Sequence, residues 1–378
     1  MSLLEVRGVT HFYGQARALD EVSFDCEQGE FFTLFGPSGA GKTTLLELIA
    51  GIQTGYQGAI KIRGRDLAGV PIQERHVAMA FENYALYPHL SVRENIAFPL
   101  RSPRAADIGE AAIAKKVRWI SDELGIGDLL DRNPAQLSGG QKQRVSLARA
   151  LVRDADVYLL DEPIAHLDAK LRTVARANLK AMAGNLGATI VYVTHDYREA
   201  LGLSDRVLVL DQGRVLQVAD PRTIYHQPAT DMVGRLVGDP AMNLLDGVLS
   251  AGAGNPVFTS AGIDFHLNGK LADEAGRRLA AGNPEARLGV RPSAVSAGTG
   301  ADDPQATRLP VYALEGGAQG RLAFFEVGAA FLGGSVTRAA DIPFNGELQV
   351  KIDGNRGHLF NASFPMHPPG PAETLKHR

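Results

Sequence analysis

The chain is poor in cysteine: its 378 residues include one, Cys26. No intrachain disulfide can form, which points to a reducing compartment and away from a disulfide-stapled scaffold. It also lacks an excess of positive charge. Lys plus Arg number 39 and Asp plus Glu 42, for a net charge of -3. Residues 1–240 carry 27 basic and 29 acidic side chains, and residues 241–378 carry 12 and 13. A protein that seeks nucleic acid is ordinarily basic, and neither part is. No apolar run reaches about 18 residues, so no membrane-spanning helix is expected. The opening MSLLEVRGVTHFYG is broken by charge and glycine too early for a signal-peptide core. There is no low-complexity block and no long-period repeat. The remainder, 45% apolar and 21% charged, is ordinary globular composition. The length suits two or three domains.

The first two-thirds alternates buried strands with helices. Leu3–Thr10, Val22–Phe24, Phe31–Phe35, Val157–Leu160, Thr189–Thr194 and Arg206–Leu210 read as strands. Thr43–Ala50, closed by Gly51, and residues 168–186 read as helices. The pattern predicts crossover units and a mainly parallel sheet. Residues 85–155 read as a helical insertion broken by prolines. From about Pro240 glycine is dense and short β-like runs recur, including Asp246–Leu249, Arg287–Val290, Ala323–Val327 and Glu347–Ile352. A small all-β barrel or sandwich is expected there, with a loosely ordered tail from about 365. The domains are expected at 1–238 and 239–378.

Residues 36–43 read GPSGAGKT, which fits G-x-x-x-x-G-K-[ST]. Gly36, Gly39 and Gly41 let the backbone aim N–H groups at phosphate oxygens. Lys42 sets a point charge on the outer phosphates, and the Thr43 hydroxyl can ligate Mg²⁺. An apolar strand precedes the motif and a helix follows, pointing its positive end at the same anion.

Residues 157–162 read VYLLDE. Asp161 falls at the C-terminal end of a buried strand, where α/β sheets place ligand-binding groups. It can hold Mg²⁺, and Glu162 can orient and deprotonate a water. Residues 137–144 read LSGGQKQR. Ser138 fits a helix N-cap, backed by an apolar stripe of Val145, Ala148, Leu151 and Val152. Gly139 and Gly140 are costly at a helix start unless a ligand approaches the bare backbone.

LSGGQ between a P-loop and a VYLLDE strand resembles the ABC-transporter ATPases. That resemblance implies an α/β P-loop NTPase with an inserted helical subdomain, followed by an OB-like (TOBE-type) C-terminal domain. It implies ATP and Mg²⁺ as cofactors. Tyr13 matches the aromatic that stacks on adenine. Pro37, Ser38, Ala40 and Thr44 complete the phosphate loop. Ser138, Gly139, Gly140 and Gln141 match the segment that closes over ATP bound to another subunit. Asp168 matches the end of the D-loop, and His195 the switch histidine. The resemblance gives Glu162, His195 and Lys42 the chemistry, and Thr43, Asp161 and Glu82 the metal. It implies a head-to-tail dimer with two shared sites.

ENYALYPHLSVRENIAFPL, the stretch from VADPRTIYHQ to NLLDG, and LGVRPSAV further resemble the carbohydrate-importer branch, whose familiar members serve maltose and glycerol-3-phosphate importers. The resemblance covers about residues 1–300 well. It implies a peripheral subunit on the cytoplasmic face of the inner membrane. Its partners would be two permeases, contacting about Glu82–Phe98, and indirectly a solute-binding protein. Nucleic acid is not expected: residues 241–378 have a net charge of -1 and no tryptophan, whereas single-strand grooves need basic and aromatic lining. Two positions depart from the family. Glu82 stands where glutamine is usual, and Ala165-His166-Leu167-Asp168 stands for the usual S-N-L-D. One reading is tolerated drift. The other is an asymmetric pair with a second, different ATPase chain. A soluble mechanical ATPase and a regulatory binding module are the remaining alternatives.

Overall fold

The computed structural model describes residues 2–102, 108–165, 169–298, 303, 305–317, 320–336 and 346–361. They divide into two compact units that meet between Ala229 and Thr230. The first contains, in chain order, β1 (Ser2–Tyr13), β2 (Ala16–Glu27), β3 (Phe31–Phe35), α1 (Lys42–Ala50), β4 (Gln57–Ile62), β5 (Arg65–Asp66), β6 (Val77–Ala80), α2 (Val92–Ala97), α3 (Gly109–Glu123), α4 (Gly139–Leu151), β7 (Val157–Asp161), α5 (Ala169–Leu186), β8 (Ile190–Thr194), α6 (Tyr197–Leu203), β9 (Arg206–Asp211), β10 (Arg214–Ala219) and α7 (Pro221–His226).

Six strands form one sheet in the order β10-β9-β3-β8-β7-β6. All are parallel except the edge strand β10. Every residue of β3, β7 and β8 is buried. Successive side chains of a strand point to opposite faces, and both faces are covered, so these strands read as unbroken apolar runs. Phe31, Tyr158, Leu160, Ile190 and Tyr192 join the core shared with α2, α3 and α4. Phe32, Leu34, Leu159, Val191 and Val193 join the core shared with α1. That second core is roofed by a four-stranded antiparallel sheet, β2-β1-β4-β5, which was not expected. The C-terminal ends of the parallel strands all lie along one sheet edge. From that edge emerge the phosphate loop, Glu82, Asp161-Glu162, His195 and Gln212.

Arg75 is buried before β6. Its guanidinium donates to the carbonyls of Leu48, Ile49, Leu67 and Val70 at 2.7–3.1 Å, so it caps the C-terminal end of the phosphate-loop helix. Burial holds its pKa below the usual arginine value. Arg75→Met removes the side-chain donor from all four, leaving Leu48 and Leu67 with the N–H groups of Gly51 and Val70 but Ile49 and Val70 without a partner. It should lower unfolding free energy by about 2–4 kcal/mol in urea titration, and a loss under about 0.5 kcal/mol would contradict this account.

The second unit contains α8 (Asp231–Leu236), β11 (Asn243–Ser250), β12 (Val257–Ser260), β13 (Ile263–His266), α9 (Gly269–Ala280), β14 (Glu285–Val290), β15 (Val295–Gly298), β16 (Thr307–Gly317), β17 (Gly320–Val327), β18 (Ala330–Val336), β19 (Glu347–Ile352) and β20 (Gly357–Asn361). An antiparallel sheet, β13-β12-β11-β14-β20, accompanies a closed five-stranded barrel, β15-β18-β17-β16-β19. Asn243 ties the two: its amide bonds both the N–H and the C=O of Gly333 at 2.8 and 2.9 Å. The expectation of strands alone was incomplete. α9 is a full helix that runs unbroken through Gly276 and lays Leu271, Ala272, Ala275 and Leu279 on the core of this unit. The expected loose tail from 365 lies outside the described residues.

Candidate functional site

The phosphate loop leaves β3 at Gly36 and enters α1 at Lys42. Its glycines are needed for different reasons. A Cβ on Gly36 would lie 2.0 Å from the Leu210 carbonyl oxygen. Gly41 has φ +100° and would meet the Ala18 carbonyl at 2.7 Å, whereas Gly39, at φ +77°, faces open space. Gly36 is therefore a matter of space, Gly39 of conformation, and Gly41 of both. The Lys42 ammonium donates to the Gly36 and Pro37 carbonyls at 2.9 and 2.8 Å. It is buried, and desolvation holds its pKa below the usual lysine value against the pull of Glu162, Asp161 and Glu82. An anion in the loop would supply the counter-charge that this ammonium lacks.

Thr43 donates its hydroxyl to Asp161 Oδ2 at 3.0 Å. Asp161 is 4% exposed, and burial raises its pKa to about 6. Its other oxygen, Oδ1, is buried with no hydrogen-bond partner. Such an orphaned acceptor is costly and fits a cation or its water shell. Next in the chain, Glu162 has φ +45°, a strained conformation for a side-chain-bearing residue. Two bonds hold it there. Its N–H donates to the Val193 carbonyl at 3.1 Å, and Gln143 of α4 donates to its carbonyl at 2.9 Å. The Glu162 carboxylate lies 2.8 Å from His195 Nδ1 at the end of β8.

Lys42, Thr43, Glu162 and His195 line one cavity of about 610 Å³, together with Tyr13, Ser38, Gly39, Gly41, Thr44 and Glu82, while Asp161 lies behind Thr43 and does not line it. Four lining residues escaped the sequence reading: Arg17, Ala18, Gln212 and Gly213. Gly213 lies in the turn between β9 and β10, and its N–H donates to the Ala40 carbonyl at 3.0 Å, which brings that turn against the phosphate loop. Arg17 had no local signal, because only the β1–β2 hairpin carries it there.

Ser138, Gly139, Gly140 and Gln141 do not line the cavity. They form the capped start of α4, where the Ser138 hydroxyl accepts from the Gln141 N–H and the Gln141 side chain accepts from the Ser138 N–H. Val145, Ala148, Leu151 and Val152 behind them are buried, as the stripe predicts. Asp168 lies outside the described residues.

Beyond Glu82, Tyr84 and Ala85 both have positive φ. Arg149 fixes them by donating to their carbonyls at 3.1 and 2.8 Å. The buried Asn95 amide clamps the following turn through Tyr87, Leu90 and Ser91. This leaves the paired rings of Tyr87 and Phe98 exposed, 4.6 Å apart. The backbone here is held by these side-chain hydrogen bonds, and the Arg149 guanidinium also lies 5.4 Å from the Tyr87 ring centroid.

The family model for the ABC transporter matches residues 19–165. The xylose/arabinose import ATP-binding protein XacK of Haloferax volcanii is 45% identical over 303 residues, 79% of this chain and 76% of that protein. The sn-glycerol-3-phosphate import ATP-binding protein UgpC of Cereibacter sphaeroides is 40% identical over 371 residues, 96% of this chain and 98% of that protein. A solved dimeric ATP-binding cassette in a post-hydrolysis state, bound to ADP and Pi, superposes with a TM-score of 0.54 at 29% identity; the match covers 58% of this chain and 99% of that one. With the phosphate loop, Glu162 and the histidine gathered at one cavity and Asp161 bonded to Thr43 beside it, these likenesses settle the family: the chain is an ATP-binding, ATP-hydrolysing member of the ABC transporter family.

Proposed function

We propose that the chain is the ATP-hydrolysing motor of an importer for a sugar, a polyol, glycerol or glycerol-3-phosphate. The carrying observation is that its cavity is lined by phosphate-loop residues, Glu162 and His195, with Asp161 bonded to Thr43 behind them, but not by the Ser138–Gln141 segment. Such a chain owns half a site. A second subunit, head to tail, completes it by laying its own Ser138–Gln141 helix start, and the residue equivalent to Asp168, against the triphosphate.

Within that site Tyr13 stacks on the base. The backbone of residues 36–44 wraps the phosphates, with Pro37, Ser38, Ala40 and Thr44 shaping the loop. Lys42 exchanges its carbonyl partners for phosphate oxygens. Glu162 takes the proton of the attacking water, and His195 orients the carboxylate and the terminal phosphate. Thr43, Asp161 and Glu82 would hold Mg²⁺, which neutralises charge developing on the phosphates. Among the described residues no three His, Cys, Asp or Glu side chains cluster to hold a metal alone. Mg²⁺ shared between one or two carboxylates and phosphates needs no such cluster.

Glutamate at 82 adds a negative charge to the metal side of the site. Glu82→Gln should therefore move the Mg²⁺ requirement of hydrolysis several-fold upward, read from rate against free Mg²⁺ and from Mg²⁺–nucleotide titration. Superimposable curves would contradict this role.

In each ATPase copy the Tyr87–Phe98 face receives a helix from one of two permeases, so that the subunit works at the cytoplasmic face of the inner membrane. Tyr87→Asp should abolish most transport while nucleotide binding stays within about two-fold, and normal uptake by that variant would contradict it. In this proposal the β-rich unit is an OB-like regulatory domain. Its closed five-stranded barrel supports that reading. A solute-binding protein delivers cargo to the permeases, and nucleic acid has no part.

Glu82 and Ala165 favour one second reading, an asymmetric pair with a different ATPase chain supplying the stronger site. Both readings are tested by tagging the chain, solubilising membranes in mild detergent and identifying the co-purifying chains. Two multi-span permeases with this ATPase alone support the symmetric motor. A second ATPase chain supports the asymmetric one, and no membrane partner contradicts both.

A further inference from the structure

Tyr13 sits at the cavity with 46% of its surface exposed. An exposed tyrosine at a hairpin tip samples several rotamers, and ordering it on binding costs affinity. One neighbour removes that freedom. His11, two residues earlier on β1, is 4% exposed and meets the Tyr13 ring edge to face, with centroids 4.8 Å apart and planes at 89°. Residues i and i+2 of a strand share a face, so the pairing is built into β1.

His11 is fixed in turn. Its Nδ1 lies 3.3 Å from the Gly55 carbonyl oxygen. A carbonyl only accepts, so Nδ1 carries the hydrogen and donates it. The other nitrogen, Nε2, is buried without a hydrogen-bond partner. An apolar ring would fill this place without leaving a polar atom unpaired. The histidine makes sense if one edge must reach Gly55 while its ring faces Tyr13. Gly55 lies two residues before β4, the strand that pairs with β1 at Thr10 and Gln57, so the bond pins His11 to the segment entering the neighbouring strand.

We propose that His11 is a positioning residue that presets the Tyr13 ring as the platform for the base of the nucleotide. The proposal rests on the stacking role given to Tyr13 above. It makes base affinity, but not phosphate affinity, depend on a residue outside the cavity lining.

The test compares ATP with inorganic tripolyphosphate, which has no base, on the full chain by calorimetry. His11→Gln can keep the Gly55 bond but loses the ring, and His11→Phe keeps a ring but loses the bond. His11→Gln should weaken ATP about three- to ten-fold and leave tripolyphosphate unchanged. His11→Phe, which keeps the ring but not its tether, should weaken ATP by clearly less than His11→Gln does. The double variant His11→Gln/Tyr13→Ala should bind ATP no more weakly than Tyr13→Ala. Equal weakening of ATP and tripolyphosphate would make His11 merely structural and overturn the proposal. So would unchanged ATP affinity in His11→Gln, or a loss in His11→Phe matching that in His11→Gln. If Tyr13→Ala leaves the ATP-to-tripolyphosphate ratio untouched, the stacking role itself falls, and that outcome is distinct from the failure of His11 alone.

Discussion

Glu162→Gln is expected to cut ATP hydrolysis at least about 100-fold while leaving ATP affinity within a few-fold of the parent. The amide keeps the shape of the side chain and the His195 contact at 2.8 Å. It loses the capacity to take a proton from water. The backbone strain at φ +45° is unchanged, because both bonds that hold the residue are main-chain bonds of Glu162 itself. The loss should therefore appear in kcat rather than in nucleotide binding or thermal stability. Steady-state phosphate release and equilibrium nucleotide titration read the two quantities separately. Near-normal turnover would mean that another group, with His195 the nearest candidate, is the base.

Gly36→Ala has the largest expected effect on binding. The new methyl would lie 2.0 Å from the Leu210 carbonyl oxygen, where backbone must give way. The strand end of β9 or the phosphate loop must move, and the loop's N–H groups then no longer converge on one point. ATP binding should fall by about 100-fold or more. Gly39→Ala is the control. Its Cβ meets nothing within 4 Å, and only its φ of +77° resists. That strain costs about 1 kcal/mol, less than about ten-fold in affinity. Equal effects of the two substitutions would contradict the steric account.

The chemistry was legible because it is written locally. GPSGAGKT, LSGGQ and VYLLDE each place their groups within a few residues of chain, the first and last at the ends of unmistakable apolar strands and LSGGQ at the capped start of α4. The Ser138 cap and its buried stripe were legible for the same reason. The residues that escaped reach the site through tertiary pairing. Arg17 arrives on the β1–β2 hairpin, and Gln212 and Gly213 arrive on the β9–β10 turn, which no local spacing links to the phosphate loop. β4 and β5 escaped because QGAIKI and RD are short, half-exposed and flanked by glycine. The helix α9 escaped although Leu271, Ala272, Ala275 and Leu279 recur at helical spacing, because it is a single helix among glycine-rich short strands. The His11–Tyr13 pair lies between these cases. Its two-residue spacing is visible on β1, but burial of one ring and exposure of the other belong to the fold.

The central claim is that each hydrolytic site is built from two chains, and mixing two defective variants tests it most directly. Lys42→Ala spoils the phosphate side, and Ser138→Arg spoils the closing side. Alone, each variant has no complete site and should be inactive. Mixed, the Ser138→Arg chain offers an intact phosphate loop and the Lys42→Ala chain an intact Ser138–Gln141 helix start, so mixed dimers hold one good site. ATPase activity well above that of either variant alone is the predicted result. Continued inactivity of the mixture, with dimers demonstrably formed, would contradict the shared site.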